Sequence, residues 1–133
     1  QVMLEKFPLD LSRVHFTGHL PYPEYLQVLQ ASSVHVYLTR PFVLSWSLLE
    51  SLSTGCLVVG SNTAPVAEVI QDGVNGLLAE FFSPAEIAER IAEALNHPDK
   101  MSEIRAKARQ TILENYDLSL LLPQHLDWIK QGI

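Results

Sequence analysis

Four short apolar runs separated by helical patterns constrain this chain more than any other feature. They are "VHFTG" from Val14, "VHVYL" from Val34, "CLVVG" from Cys56 and "GLLAE" from Gly76. "PEYLQVLQAS" from Pro23 and "SWSLLESLS" from Ser45 lie between them and carry helical spacing. Strands that are apolar without clean alternation, with helices as chain neighbours, predict a parallel sheet covered on both faces. The expected class is therefore α/β.

After the last run the pattern is helical only. "SPAEIAERIAEALN" opens with Ser83 as N-cap, Pro84 at the first helical position and Glu86 placed to complete a capping box. Ile87, Ile91, Ala94 and Leu95 then share one face. Asn96-His97-Pro98 breaks this helix, and further helices are expected over about 99–115 and 118–130. The glycines read first as turn chemistry: Gly55 as a left-handed helix cap, Gly73 and Gly76 framing "QDGVNG", and Gly18 and Gly60 ending strands. None has the spacing of a GxGxxG or Walker loop.

The 133 residues are one domain's worth of sequence, with 15 acidic against 9 basic side chains and a formal net charge of -6. That balance argues against nucleic acid as a partner. Cys56 is the only cysteine. In an apolar strand it reads as a core residue, with burial raising rather than lowering its pKa, and a lone thiol fits a reducing compartment. No apolar run approaches the roughly 20 residues of a spanning helix, and no signal-peptide pattern opens the sequence. The expectation is a soluble, cytoplasmic domain, and no metal-spaced His and Cys cluster calls for a cofactor.

Ligands of open parallel sheets bind beyond the carboxyl ends of the strands. Thr17 to Tyr22, Arg40 to Ser47 and Ser61 to Pro65 all follow strand-like runs and would converge there. A helix starting near Ser45 would aim its N-terminal N–H groups and positive dipole end into the same crevice, as an anion site requires.

"VHFTGHLPYPEYLQVLQASSVHVYLT", "SLLESLSTGCLVVGSNTAPVAEVIQDGVNGLL" and "AEIAERIAEAL" together resemble the C-terminal, donor-binding domain of retaining GT-B glycosyltransferases of the family 4, group 1 type. The resemblance implies a Rossmann-like sheet that forms an incomplete C-terminal half of the GT-B fold. Glu50 matches the second glutamate of the family's E-x7-E motif, whose carboxylate accepts hydrogen bonds from the ribose hydroxyls of a nucleotide-sugar donor. Without the resemblance, Glu50 reads equally as a solvated helix residue. Counting back along the motif, Phe42 holds the place of the first glutamate, which in the family contacts the donor sugar. Phe cannot supply that charge or hydrogen bond, so either a subfamily variant or a binding module that has lost catalysis is implied.

Leu44, Ser45, Trp46 and Ser47 match the stretch whose backbone N–H groups contact sugar and diphosphate. Ser45 and Ser47 serve equally as N-caps, and Trp46 as a packing residue. Glu68 matches the acidic residue after the small-residue loop, or is a surface charge. His15 and Phe16 fall where the family's backbone meets the nucleobase, or are ordinary strand pairing; His19 is a donor contact or a turn residue.

The resemblance also implies partners and missing parts. The donor is a nucleotide-diphosphate sugar, and the acceptor, a glycan or lipid-linked hydroxyl of polysaccharide biosynthesis, is bound by an N-terminal domain this sequence does not contain. Two further strands, with a Gly-rich start and an Arg and Lys pair, would stand between "VHFTG" and "VHVYL" in the sheet. The 133 residues then read as a fragment, inactive alone, with strand edges open to self-association. The full-length protein would be cytoplasmic or peripheral to the inner face of the membrane.

Overall fold

The computed structural model describes residues 10–39 and 43–132. Among these residues three parallel strands form the sheet: β1 (His35–Tyr37), β2 (Val58–Ser61) and β3 (Leu77–Ala79), in the order β1-β2-β3. His35 stands opposite Val58, and Val59 opposite Leu77. β2 is central and buried along its whole length. Val58 packs into one apolar cluster with Leu48, Leu52, Val66 and Ile70, whereas Leu57 and Val59 pack into a second with Leu77, Ala94, Met101 and Ile104. Two-sided burial explains why "CLVVG" lacks polar alternation.

Among the described residues the chain forms six α-helices: α1 (Tyr22–Ala31), α2 (Trp46–Ser53), α3 (Ala64–Ala67), α4 (Pro84–Asn96), α5 (Pro98–Asn115) and α6 (Leu118–Gln131), the last packed on α5 rather than on the sheet. α2 buries Leu48 and Leu52, one turn apart, completely, and stops where Gly55 takes the left-handed conformation (φ 74°). α4 begins with Pro84 in its first turn, and the Ser83 hydroxyl accepts from the Glu86 N–H at 3.3 Å. The Ser83 N–H donates to the Glu80 carbonyl, so the capping interaction runs in one direction. His97, at φ −128° and ψ 60°, ends α4 and starts α5. α5 serves both clusters, with Met101 and Ile104 in one and Ala108 and Ile112 in the other.

One expected strand does not form. The run from Val14 to Gly18 is non-helical chain outside the sheet, following a short 3-10 turn at Leu11–Arg13. An isolated extended segment gains no ladder hydrogen bonds, and this one gains little burial: Val14 is half-buried and Phe16 is 76% exposed. Among the described residues it has no strand to pair with, neither β1 nor another. Gly18, at φ 62°, turns the chain toward α1.

The "QDGVNG" turn is fastened by one buried side chain. Asn75 accepts from the Gln71 N–H at 2.7 Å and donates to the Val69 carbonyl at 2.9 Å and to Thr111 Oγ1 of α5 at 3.0 Å. Beside it, a Cβ on Gly76 would meet Ile70 Cγ2 at 2.9 Å, so the turn lies hard against the core. Asn75→Ala strips partners from a backbone donor and a buried carbonyl, and is expected to cost about 2–4 kcal/mol. A fall in the urea midpoint at unchanged slope is the measurement that checks it.

Candidate functional site

At the carboxyl edge of the sheet, side chains tie the strand ends to the helix that follows. Ser61 Oγ accepts from the Thr39 N–H and donates to the Thr39 carbonyl, both at 3.2 Å, which joins the chain after β1 to the end of β2. Tyr37 Oη accepts from the Ser45 N–H at 2.9 Å. That bond anchors the start of α2 to β1, so the N-terminus of α2, with the positive end of its dipole, opens onto the sheet edge.

Ser45 is the N-cap: its hydroxyl accepts from the Ser47 N–H at 3.3 Å and lies 2.9 Å from Ser47 Oγ. Both hydroxyls are thus engaged locally. Leu44 is half-buried against the core cluster of Leu48 and Leu52, so its side chain packs and its backbone borders the edge. Trp46 is 82% exposed, which excludes packing as the role of this aromatic. Phe42 lies outside the described residues, as does Arg40.

Glu50 follows one turn along α2, half-buried, facing α1. Two tyrosines of α1 attend it. The Tyr22 phenol has a raised pKa, chiefly through hydrogen bonding with the Glu50 carboxylate. The Tyr25 phenol is raised first by burial and then by the Glu50 charge. Tyr25 Oη is itself buried and lacks a well-formed hydrogen bond among the described residues. Glu50, Tyr22 and Trp46 line a groove together with Tyr116, Leu121 and His125. Glu50 is the only carboxylate among the residues lining it. An anionic, bidentate acceptor on an otherwise apolar and aromatic wall suits a ligand with a flat ring and adjacent hydroxyls.

The remaining candidates are more dispersed. Glu68 caps the C-terminal end of the four-residue α3 through its backbone and leaves its carboxylate exposed. His15 and Phe16 are exposed on the segment that is not a strand, which removes strand pairing as their explanation. His19 is exposed in a second groove with Thr17, Leu29 and His35, and Tyr25 borders this groove too. The structure therefore gathers Glu50 and Trp46 on one wall and His19 in a neighbouring groove. Tyr22 and Tyr25, which complete the surroundings of Glu50, were not singled out by sequence reasoning. Their spacing of three residues at a helix start was the available signal.

Among the described residues no cluster of three or more His, Cys, Asp and Glu side chains is arranged to hold a metal ion. Nor is any helix there long and apolar enough to cross a membrane. Cys56 is fully buried, and burial raises its thiol pKa against a smaller opposing effect of Arg105. It is expected to resist a thiol reagent such as DTNB at neutral pH and to react at once in denaturant. Rapid labelling of the native protein would contradict that placement.

The model of the family described as "Glycosyl transferases group 1" matches residues 9–111. An uncharacterized glycosyltransferase of Methanocaldococcus jannaschii is 28% identical over 105 residues, which are 78% of this chain and 27% of that protein. The crystal structure of Anabaena Alr3699/HepE in complex with UDP-glucose superposes with a TM-score of 0.89 at 20% identity, over 98% of this chain and 35% of that one. Sucrose-phosphate synthase from Thermosynechococcus elongatus gives 0.84 at 21% identity, over 98% and 32%. The chain thus spans about a quarter of the length of that curated relative and about a third of those solved chains.

Proposed function

The chain belongs to the group 1 glycosyl transferases and has the Rossmann-like parallel sheet of their GT-B fold, and from that premise we propose that it is the donor-binding part of an enzyme using a nucleotide-diphosphate sugar. The observation that carries the reading is Glu50, set one turn inside a helix whose start is tethered at the sheet edge, with its carboxylate in a groove walled by aromatics. A carboxylate has two oxygens that accept from two vicinal hydroxyls, which fits a ribose. The start of α2 lies on the side where the donor's diphosphate would follow, and the helix dipole favours its charge. Anabaena Alr3699/HepE, the neighbour of near-identical fold in this region, was solved with UDP-glucose, which supports a donor of this class.

In the proposed reaction the sugar passes from the nucleoside diphosphate to a hydroxyl of a glycan or lipid-linked acceptor, with retention at the anomeric carbon. Electrostatic handling of the departing diphosphate supplies the catalysis, without a covalent protein intermediate or a cofactor. Glu50 fixes the donor, the backbone of Leu44 to Ser47 faces the diphosphate and sugar, and Trp46 walls the pocket. His19 lies in the neighbouring groove, and Glu68, His15 and Phe16 do not line the groove of Glu50. The acceptor is held by a further domain of the full-length protein, which is cytoplasmic in this reading.

Phe42 favours a second reading. It stands where the family motif has its first glutamate, so donor binding without transfer is the alternative. Incubating the full-length protein with UDP-, GDP- and ADP-sugars and following nucleotide release separates the two. Release stimulated by an acceptor supports the enzyme. Saturable binding without release supports the module, and neither binding nor release contradicts both.

A further inference from the structure

The two edges of the sheet are not alike. In a parallel ladder alternate residues of a strand bond to one neighbour, and the residues between them face the other side. The Asn62 N–H donates to the Ala79 carbonyl at 2.7 Å, which turns Ala79 toward β2 and leaves Leu78 as the residue of β3 whose N–H and C=O face outward. Both groups are taken by side chains. Asp72 Oδ1 accepts from the Leu78 N–H at 2.8 Å, and Arg90 Nε donates to the Leu78 carbonyl at 3.1 Å. The carboxylate and the guanidinium are themselves joined at 3.0 Å. One acceptor and one donor are what a neighbouring strand would present to this residue. β1 shows the contrast. The His35 N–H donates to the Leu57 carbonyl at 2.8 Å, so Val36 faces out, and among the described residues no strand pairs with it there.

Neighbouring structure holds both side chains in place. Asp72 stands in the "QDGVNG" turn, which Gly73 permits at φ 72° and which brings the chain back alongside it at Leu78. Arg90 lies on α4, where Glu93, one turn on, accepts from its Nη1 at 3.0 Å; Lys100 of α5 in turn donates to Glu93 at 2.8 Å. Ion pairs as exposed as these contribute little to stability, so the consequence of the arrangement falls on what the edge can bind. The strand needs such cover. "GLLAEFF" from Gly76 has one charge and no proline, and Phe82, just past β3, is 84% exposed. An apolar edge of this kind is a template for another strand.

We propose that Asp72 and Arg90 stand in for a neighbouring strand: they occupy the outward groups of β3 and keep a second copy of this chain from adding its own β3 there. An antiparallel pairing of β3 with β3 is two-fold and closes as a dimer, so a dimer is what the pair of side chains excludes. The expectation of self-association through open strand edges then narrows to β1. None of this depends on the donor-site reading.

The test uses the full-length protein and the variants Asp72→Ala, Asp72→Asn and Asp72→Ala/Arg90→Ala, with Leu52→Ala as a control that loosens the core and leaves both side chains of the edge in place. Hydrogen exchange reads the edge, and sedimentation velocity over a concentration series reads the mass. The Leu78 amide is expected to be protected in the wild type and to exchange about tenfold faster or more in Asp72→Ala, while the Ala79 amide is unchanged. The double variant is expected to move from the wild-type mass toward twice that mass as concentration rises. Asp72→Ala alone should dimerise in the same sense, more weakly. Asp72→Asn keeps an accepting oxygen in the same place and should keep both the protection and the wild-type mass.

A Leu78 amide that exchanges equally fast in wild type and Asp72→Ala would overturn the proposal, as would alanine variants with the wild-type mass at every concentration. Self-association of Leu52→Ala to the same extent would assign the effect to lost stability. An Asp72→Asn variant that associates like Asp72→Ala would assign it to lost charge, and either result would overturn the closed edge.

Discussion

Glu50→Ala is expected to weaken nucleoside diphosphate binding about 10- to 100-fold, the loss of two hydrogen bonds to a charged acceptor. The carboxylate is half-buried at the groove and no ion pair of the described residues includes it, so the fold should not depend on it. The urea midpoint should therefore hold while affinity falls. Glu50→Gln keeps one good acceptor and should lose less. Isothermal calorimetry on the three proteins reads both predictions, and an alanine variant as tight as the wild type would place the ribose elsewhere.

Leu52→Ala acts on the scaffold rather than the ligand. Leu52 is fully buried in α2, in the cluster that also holds Leu48, Val58, Val66, Ala108 and Ile112. Truncation leaves a cavity between α2, β2 and α5, at a cost of about 2–5 kcal/mol. That is a large part of the roughly 5–15 kcal/mol that separates a typical domain from its unfolded chain. Chemical denaturation should show the loss. Nucleotide affinity of the molecules that remain folded should change little, because the apolar face of α2 is opposite in role to the face bearing Glu50. A variant that kept its midpoint would mean that α2 is not packed as described.

The two predictions divide α2 by face, and that division was largely legible in the sequence. Leu48 and Leu52 are one turn apart, and Glu50 falls between them on another side. The runs at Val34, Cys56 and Gly76 were legible as strands because β-branched and apolar residues without alternation require cover on both faces, which the two clusters supply. Ser83 with Pro84 marked the start of α4 because a side-chain cap and a fixed φ are local properties.

What was not legible depended on partners. "VHFTG" has strand composition, but a strand exists only with a neighbour to bond, and Val14 to Gly18 has none among the described residues. Ser45 stood open between N-cap and phosphate ligand until the 3.3 Å bond to the Ser47 N–H showed the cap. Tyr37 accepting from the Ser45 N–H joins β1 to the helix that follows it, and Tyr22 and Tyr25 beside Glu50 join α1 to α2, so both are contacts between elements. Periodicity within one helix carries no record of which neighbour it will face.

The central claim is that Glu50 receives the ribose of a nucleotide donor, and a change on the ligand side tests it most directly. Calorimetric titration of the wild-type full-length protein with UDP, GDP and ADP would first identify the preferred base. The preferred nucleotide would then be compared with its 2′,3′-dideoxy analogue, which keeps base and diphosphate and lacks both hydroxyls. The account predicts a loss of about 10-fold or more for the analogue, and no such difference in Glu50→Ala. Equal affinity of the wild type for nucleotide and dideoxynucleotide would contradict it.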